Sequence, residues 1–202
     1  MTHYRVISVV VLAAGAATRY GAPKQVLEFE GLPLVRRAAL AALSVGATTI
    51  VTGAYRLAVE SALDGLPVTF AFNDAWEAGM GGSIASGVKA LHARAPEISA
   101  LILTLADQPL IGSEQLRELA AAHTRAPDRI FAAGHSHVMG PPCLFPRAYF
   151  DALSRLSGPG GARPLLDRYR DAVETIPMPG SAIDIDTPQD YAAAVAAAGS
   201  AR

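Results

Sequence analysis

Short runs of aliphatic and β-branched residues alternate along the chain with Ala-rich stretches in which apolar positions return at helical spacing. The pattern predicts crossover units on a mostly parallel sheet, an α/β architecture. Strands are expected at Arg5 to Leu12, Thr48 to Thr52, Val68 to Phe72, Ala100 to Leu105, Ile130 to Ala133 and Val173 to Ile176. Helices fit between and after them, at Leu34 to Val45, Leu57 to Leu63, Ser83 to Ala95, Ser113 to Ala126, Ala162 to Arg170 and Pro188 to Ala198. Ser113 reads as an N-cap with Glu114 in the first turn. Thr187 reads as the cap of the last helix, with Pro188 at its first position and Asp190 placed as a capping-box acid. The densest break, Gly134 to Pro142 followed by Leu156 to Pro164, predicts an excursion from the sheet around 134–164 that covers an acceptor site. No repeat or low-complexity linker divides the 202 residues, so a single domain over 1–202 is expected.

In such sheets ligands collect beyond the carboxyl ends of the strands. The first strand, Val9-Val10-Val11-Leu12, runs directly into Ala13-Ala14-Gly15-Ala16-Ala17-Thr18-Arg19-Tyr20-Gly21-Ala22-Pro23-Lys24. Small residues let a backbone approach a bulky polyanion, and Arg19 and Lys24 can hold several phosphate oxygens at once. The segment is not a Walker loop, since Lys24 is followed by Gln25. Nor is it a dinucleotide fingerprint, since its glycines are Gly15 and Gly21. From the loop alone, a nucleotide site and an ordinary strand-to-helix turn with two solvated cations read equally well.

Charge narrows the partner. Seventeen basic against 18 acidic residues leave a net charge of −1, without the basic footprint that nucleic acid requires. The apolar run Val6 to Ala17 is too short for a membrane helix and meets Thr18-Arg19 at once, so a buried strand explains it better than a signal peptide. A cytoplasmic protein without a membrane partner is expected. Cys143, the only cysteine, has no neighbouring cation or His and reads as a small buried apolar residue. His135 and His137 share a face at strand spacing, but two His without further ligands are weak evidence for zinc and read as a solvated or acceptor-facing loop. His3, His92 and His123 have no partner by spacing, and Trp76 reads as packing near Gly79.

The stretch Leu12 to Lys24 resembles the L-A-A-G-x-x-x-R-x-G-x-x-K signature of the nucleotidyltransferases that activate sugars, isoprenoid precursors and pterins. Further matches are Gly79-Met80-Gly81-Gly82-Ser83-Ile84, Leu105-Ala106-Asp107-Gln108-Pro109, Gly161-Ala162-Arg163 and Asp184-Ile185-Asp186-Thr187-Pro188-Gln189-Asp190. Together they resemble the molybdenum cofactor cytidylyltransferases of the MobA-like NTP transferase superfamily, which join CMP to molybdopterin. The resemblance implies a three-layer α/β/α Rossmann-like nucleotidyltransferase fold. It also implies CTP as substrate, Mg²⁺ or Mn²⁺ as cofactor, a pterin-phosphate acceptor, and transient contact with a molybdenum hydroxylase apoenzyme.

Residue by residue, the resemblance puts Arg19 and Lys24 on the triphosphate and the departing pyrophosphate, as the catalytic cations. Leu12, Ala13, Ala14 and Gly15 would lie against the base and ribose, and Gly81, Gly82 and Ser83, opening a predicted helix, would read the pyrimidine. Asp107, just past a strand end, has the chemistry of a Mg²⁺ ligand that shares the ion with phosphates. A second carboxylate comes from Asp184 or Asp186, which share a face in an extended segment; the resemblance favours Asp186. Gly161 and Arg163 would meet the acceptor, Arg163 and a helix N-terminus taking its phosphate. An acceptor phosphate monoester is already largely dianionic near neutrality, so no catalytic base is required.

One departure stands out: where relatives carry Gly-Asp-x-Gly-Ala-Arg, this chain reads Gly158-Pro159-Gly160-Gly161-Ala162-Arg163, losing a carboxylate to Pro159. Other readings are a guanylyl or sugar-phosphate transferase of the same fold, and a non-catalytic pterin-binding maturation factor. A nicotinamide oxidoreductase is disfavoured by the missing G-x-G-x-x-G.

Overall fold

The structure, a computed structural model, describes residues 6–136 and 138–200. At its centre is a seven-stranded sheet in the order β5 (Thr69–Phe72), β4 (Thr48–Thr52), β1 (Ile7–Ala13), β6 (Ala100–Leu105), β8 (Val138–Pro146), β7 (Ile130–His135), β9 (Val173–Pro177). A small hairpin, β2 (Glu28–Phe29) and β3 (Leu32–Pro33), lies apart from it. The helices are α1 (Leu34–Leu43), α2 (Arg56–Ala62), α3 (Met80–Arg94), α4 (Ser113–Arg125), α5 (Phe150–Leu153), α6 (Arg163–Arg168) and α7 (Pro188–Ser200). No helix among the described residues is long and apolar enough to cross a membrane.

The α/β expectation holds, and the sheet is parallel except at β8, which runs antiparallel to both β6 and β7. All five residues of β4 are buried, and β1 and β6 are nearly so, because helices cover both faces of the sheet. The period of two sorts the side chains. Val9, Val11 and Ile50 pack with Val35, Leu116 and Leu119 on one face, while Val10, Val51 and Leu101 pack with Ile84, Val88 and Leu153 on the other.

Three sequence expectations need correction. Much of the break expected at 134–164 is strand β8, a full member of the sheet. Pro141 and Pro142 suggested a loop because they cannot donate to a ladder. They fall where the β7 register shifts, Ala133 pairing with Gly140 and Ala132 with Cys143, so no ladder N–H is needed from either. Helix α3 begins at Met80, not Ser83, because Gly79 turns the chain into it at φ +113°, a conformation open to glycine. The cap of α4 is Gly112 rather than Ser113; the Gln115 side chain accepts the Gly112 N–H at 2.9 Å. Cys143 is buried as expected, and burial pushes its thiol up beyond ordinary ionisation.

Helix α3 crosses β1 and β4 closely at Gly87, where an added Cβ would stand 2.6 Å from Val10 Cγ1 and 2.7 Å from Val51 Cγ2. Gly87→Val is therefore expected to cost about 3 kcal/mol of stability by overpacking. A denaturant midpoint unchanged from wild type would contradict this close packing.

Candidate functional site

Beyond β1 the chain needs a tight, open loop, and two features shape it. Gln25, 2 % exposed, donates its amide to the carbonyls of Gly15 at 2.6 Å and Ala13 at 3.3 Å. Ala17 at φ +50° accepts from the N–H groups of Tyr20 and Gly21, both at 3.0 Å, which closes the turn before Lys24. The N–H groups of Gly15, Ala16 and Thr18 donate to nothing among the described residues. They form the kind of concave donor set that accepts an anion. The loop floors a cleft of about 600 Å³ lined in part by Ala14, Arg19, Lys24, Trp76, Asp107 and Asp186.

Two acidic segments meet on the cleft's other side. Asp107 follows β6, and the Ile185 N–H donates to the Asp107 carbonyl at 3.0 Å, tying the C-terminal segment to it. Ile185 is fully buried with Phe29, Leu34 and Ala194, which leaves Asp184 and Asp186 on the opposite, cleft-facing side. Thr187 and Asp190 hold the start of α7 reciprocally: the Asp190 carboxylate accepts the Thr187 N–H at 2.8 Å, and Thr187 Oγ1 accepts the Asp190 N–H at 3.2 Å. Hydrogen bonds from Thr187 hold the Asp190 carboxyl below its ordinary value.

The charged groups then neutralise one another. Lys24 Nζ stands 2.6 Å from Asp107 Oδ2 and 2.7 Å from Asp186 Oδ1, and Arg19 Nη2 lies 2.6 Å from Asp186 Oδ2. Burial would lower the Lys24 pKa, but the Asp107 and Asp186 carboxylates outweigh it and hold the ammonium above its ordinary value. Asp107 Oδ1 is buried without a partner among the described residues. No group of three or more His, Cys, Asp or Glu among the described residues could hold a metal ion by itself. Two carboxylates with an orphaned buried oxygen fit a hard cation that draws its remaining oxygens from phosphates.

Asp184 is the outlier. Although much of its surface faces the cleft, burial of its carboxyl among protein atoms, then the Asp107 charge, push its pKa from 3.8 up to about 6, with Gln108 opposing. The folded pKa exceeds the unfolded one, so this group's contribution is intact below about pH 4 and declines as pH rises through about 6. Asp184→Asn is expected to gain in Tm over wild type progressively across that window and to level off above it. A Tm difference independent of pH would refute the shift.

The structure brings Leu12, Ala13, Ala14, Gly15, Arg19, Lys24, Ser83, Asp107 and Asp186 to the cleft. Gly81 and Gly82 do not line it: the Gly81 N–H donates to Gly158 O at 2.9 Å, and the Ser83 hydroxyl, 4 % exposed, accepts from Asn73 Nδ2 at 3.0 Å. Of the donors expected at this helix start, the Gly81 N–H is therefore spent on the protein itself. Gly161, Arg163 and His135 line a second cavity of about 360 Å³, which shares Leu12, Met80, Leu105 and Asp184 with the first. His137 lies outside the described residues. Sequence reading missed Gln25, Asn73 and the bracing role of Gln108, whose amide donates to Pro141 O at 3.2 Å and Ser181 O at 3.1 Å.

A family model, the MobA-like NTP transferase domain, matches residues 9–173. This chain belongs to that family. A relative of the MobA-like chain, named nicotine blue oxidoreductase, from Paenarthrobacter nicotinovorans, is 31% identical over 191 residues, 88% of this chain and 91% of that one. The crystal structure of Rv0371c from Mycobacterium tuberculosis superposes with a TM-score of 0.82 at 27% identity, over 97% of this chain and 100% of that one. A manganese complex of Rv0371c gives 0.73 at 25% identity, over 95% and 98%. A nucleotidyl transferase from Methanothermobacter, 21% identical over 98% and 99% with a TM-score of 0.80, shares the fold of this MobA-like domain.

Proposed function

We propose that this chain, as a single domain, catalyses metal-dependent nucleotidyl transfer, moving CMP from CTP to molybdopterin or its molybdenum form with release of pyrophosphate. The observation that carries the reading is the Lys24 ammonium held between Asp107 and Asp186, with Arg19 on Asp186, where β1 and β6 end. A triphosphate would claim the two cations, and the freed carboxylates would claim its counter-ion. The manganese complex of a relative supports Mn²⁺ or Mg²⁺ in that place. Asp107 and Asp186 would hold such an ion, which would supply positive charge to the reacting phosphates.

The chain's own work is positioning and neutralisation. An acceptor phosphate oxygen forms a bond to the α-phosphorus as the bond from that phosphorus to the bridging oxygen breaks, and pyrophosphate leaves with the electron pair. Arg19 and Lys24 hold its growing charge. Leu12 to Gly15 lie along the nucleoside, and Gly161 and Arg163 face the acceptor cavity. CTP follows from the resemblance of the Asp107-Gln108-Pro109 and Asp184 to Pro188 motifs to the cytidylyl branch. A cytoplasmic setting and hand-over to a molybdenum hydroxylase apoenzyme belong to the same proposal.

One observation favours a second reading, the oxidoreductase name of the 31% identical relative. Pyrophosphate release should be followed with four NTPs, Mg²⁺ and molybdopterin, beside oxidation of reduced nicotinamide dinucleotides. CTP-dependent release supports the transferase. Dinucleotide oxidation without pyrophosphate from any NTP replaces it with the oxidoreductase.

A further inference from the structure

The second cavity has a chemistry that a phosphate pocket lacks. Its walls are apolar, built from Leu12, Ile84, Leu103, Leu105, Val138 and Leu166. Among the described residues, Arg163 is the only Arg or Lys lining it; its side chain is 64% exposed and faces Asp167 at 3.8 Å. Helix α6 spans only six residues. At the boundary with the first cleft stands Asp184, a carboxylate that disfavours anions. A multiply charged guest would be stripped of water there with little compensation.

Four polar contacts organise the cavity's remaining wall. Ser181, 5 % exposed, donates its hydroxyl to Met178 O at 2.7 Å, which commits its single proton. The longer contact, 3.2 Å between Ser181 Oγ and His135 Nδ1, is therefore one in which His135 donates. In the neutral ring this contact places the proton on Nδ1 and leaves the lone pair on Nε2. Nε2 has no partner among the described residues and does not number among their buried orphaned atoms. The Gln108 amide, donating to Ser181 O and Pro141 O, braces the same wall.

We infer that the second cavity takes an uncharged, flat ring carrying an N–H or O–H group, and that His135 Nε2 is the acceptor that reads this group. Apolar walls accept the ring faces, and the lone pair distinguishes a donor from its absence. His135 thus selects the ring end of the acceptor. The inference rests on the transferase reading in calling this guest the acceptor and in assigning the nucleotide to the other cleft.

The test uses three coumarin probes: 4-methylumbelliferone kept below its phenol pKa, its 7-methyl ether, and its phosphate ester, titrated by fluorescence against the whole chain. The phenol should bind about tenfold more tightly than the ether, the worth of one hydrogen bond, and more tightly than the phosphate. His135→Leu should erase the phenol-to-ether ratio while leaving ether binding intact, which also shows that the fold survives. Ser181→Ala should shrink the ratio by freeing the tautomer. The inference fails if the phosphate ester binds best, if no probe binds, or if His135→Leu keeps the ratio. CTP with Mn²⁺ is titrated on the same samples: loss of nucleotide binding beside an intact His135-dependent ratio would overturn the transferase reading alone.

Discussion

Replacing Lys24 by Ala is expected to slow pyrophosphate release from CTP by about 10²- to 10³-fold, the usual cost of losing a preorganised contact to developing charge. A second signature follows from the ion pairs. With the ammonium gone, Asp107 loses its cation and Asp186 keeps only the exposed Arg19, and the fold should lose up to about 3 kcal/mol, since removing one partner of a partly buried pair leaves charge uncompensated. Mg²⁺ should restore more Tm in Lys24→Ala than in wild type, because a divalent ion can neutralise what the ammonium did. Full kcat/KM with CTP, or a Tm that Mg²⁺ raises equally in both proteins, would remove Lys24 from the role given to it.

The second large effect separates three acids. Asp107→Asn and Asp186→Asn are each expected to weaken Mn²⁺ binding in the presence of CTP by at least about 10²-fold, more than the loss typical of residues that merely support a ligand. Asp184→Asn should retain metal-dependent turnover. Its carboxyl lies on the same side as Asp186 but makes no contact with Lys24 or Arg19 within ion-pair distance. Retained metal dependence in Asp186→Asn together with its loss in Asp184→Asn would exchange the two assignments.

Much of the core was legible because buried parallel strands announce themselves as unbroken apolar runs. Val9 to Leu12 and Ala100 to Leu105 carry little polar interruption, and the acids and cations follow directly at their ends. The face shared by Asp184 and Asp186 followed from strand alternation, with Ile185 buried between them. Strand β8 was hidden because its prolines lie in a bulge, and that depends on the register of β7, a property of two segments rather than one. The start of α3 was hidden for a similar reason. An added Cβ on Gly79 would stand 2.5 Å from the Gly158 backbone, and one on Gly81 would stand 2.5 Å from Ser157 O. The smallness of these glycines answers to a distant turn as well as to the helix they open, and no local pattern records that. Gln25, Asn73 and Gln108 carry no motif chemistry of their own, since each acts by hydrogen-bonding groups far along the chain.

The pairing of Arg19 with Asp186 spans 167 residues. The loop that would hold the phosphates is synthesised well before the second carboxylate, which sits on a segment anchored by Ile185 and the start of α7. A chain that ends before residue 183 can contain every strand of the sheet, since β9 closes at Pro177, and yet lack half of the charge balance. On the proposed reading, metal-dependent nucleotide binding is thus a test of completion, because molecules truncated before Asp186 or frayed there lack the second carboxylate for the ion. On that reading, a bound nucleotide and its ion would add their stabilisation chiefly to molecules in which the Asp186 segment has docked beside Lys24.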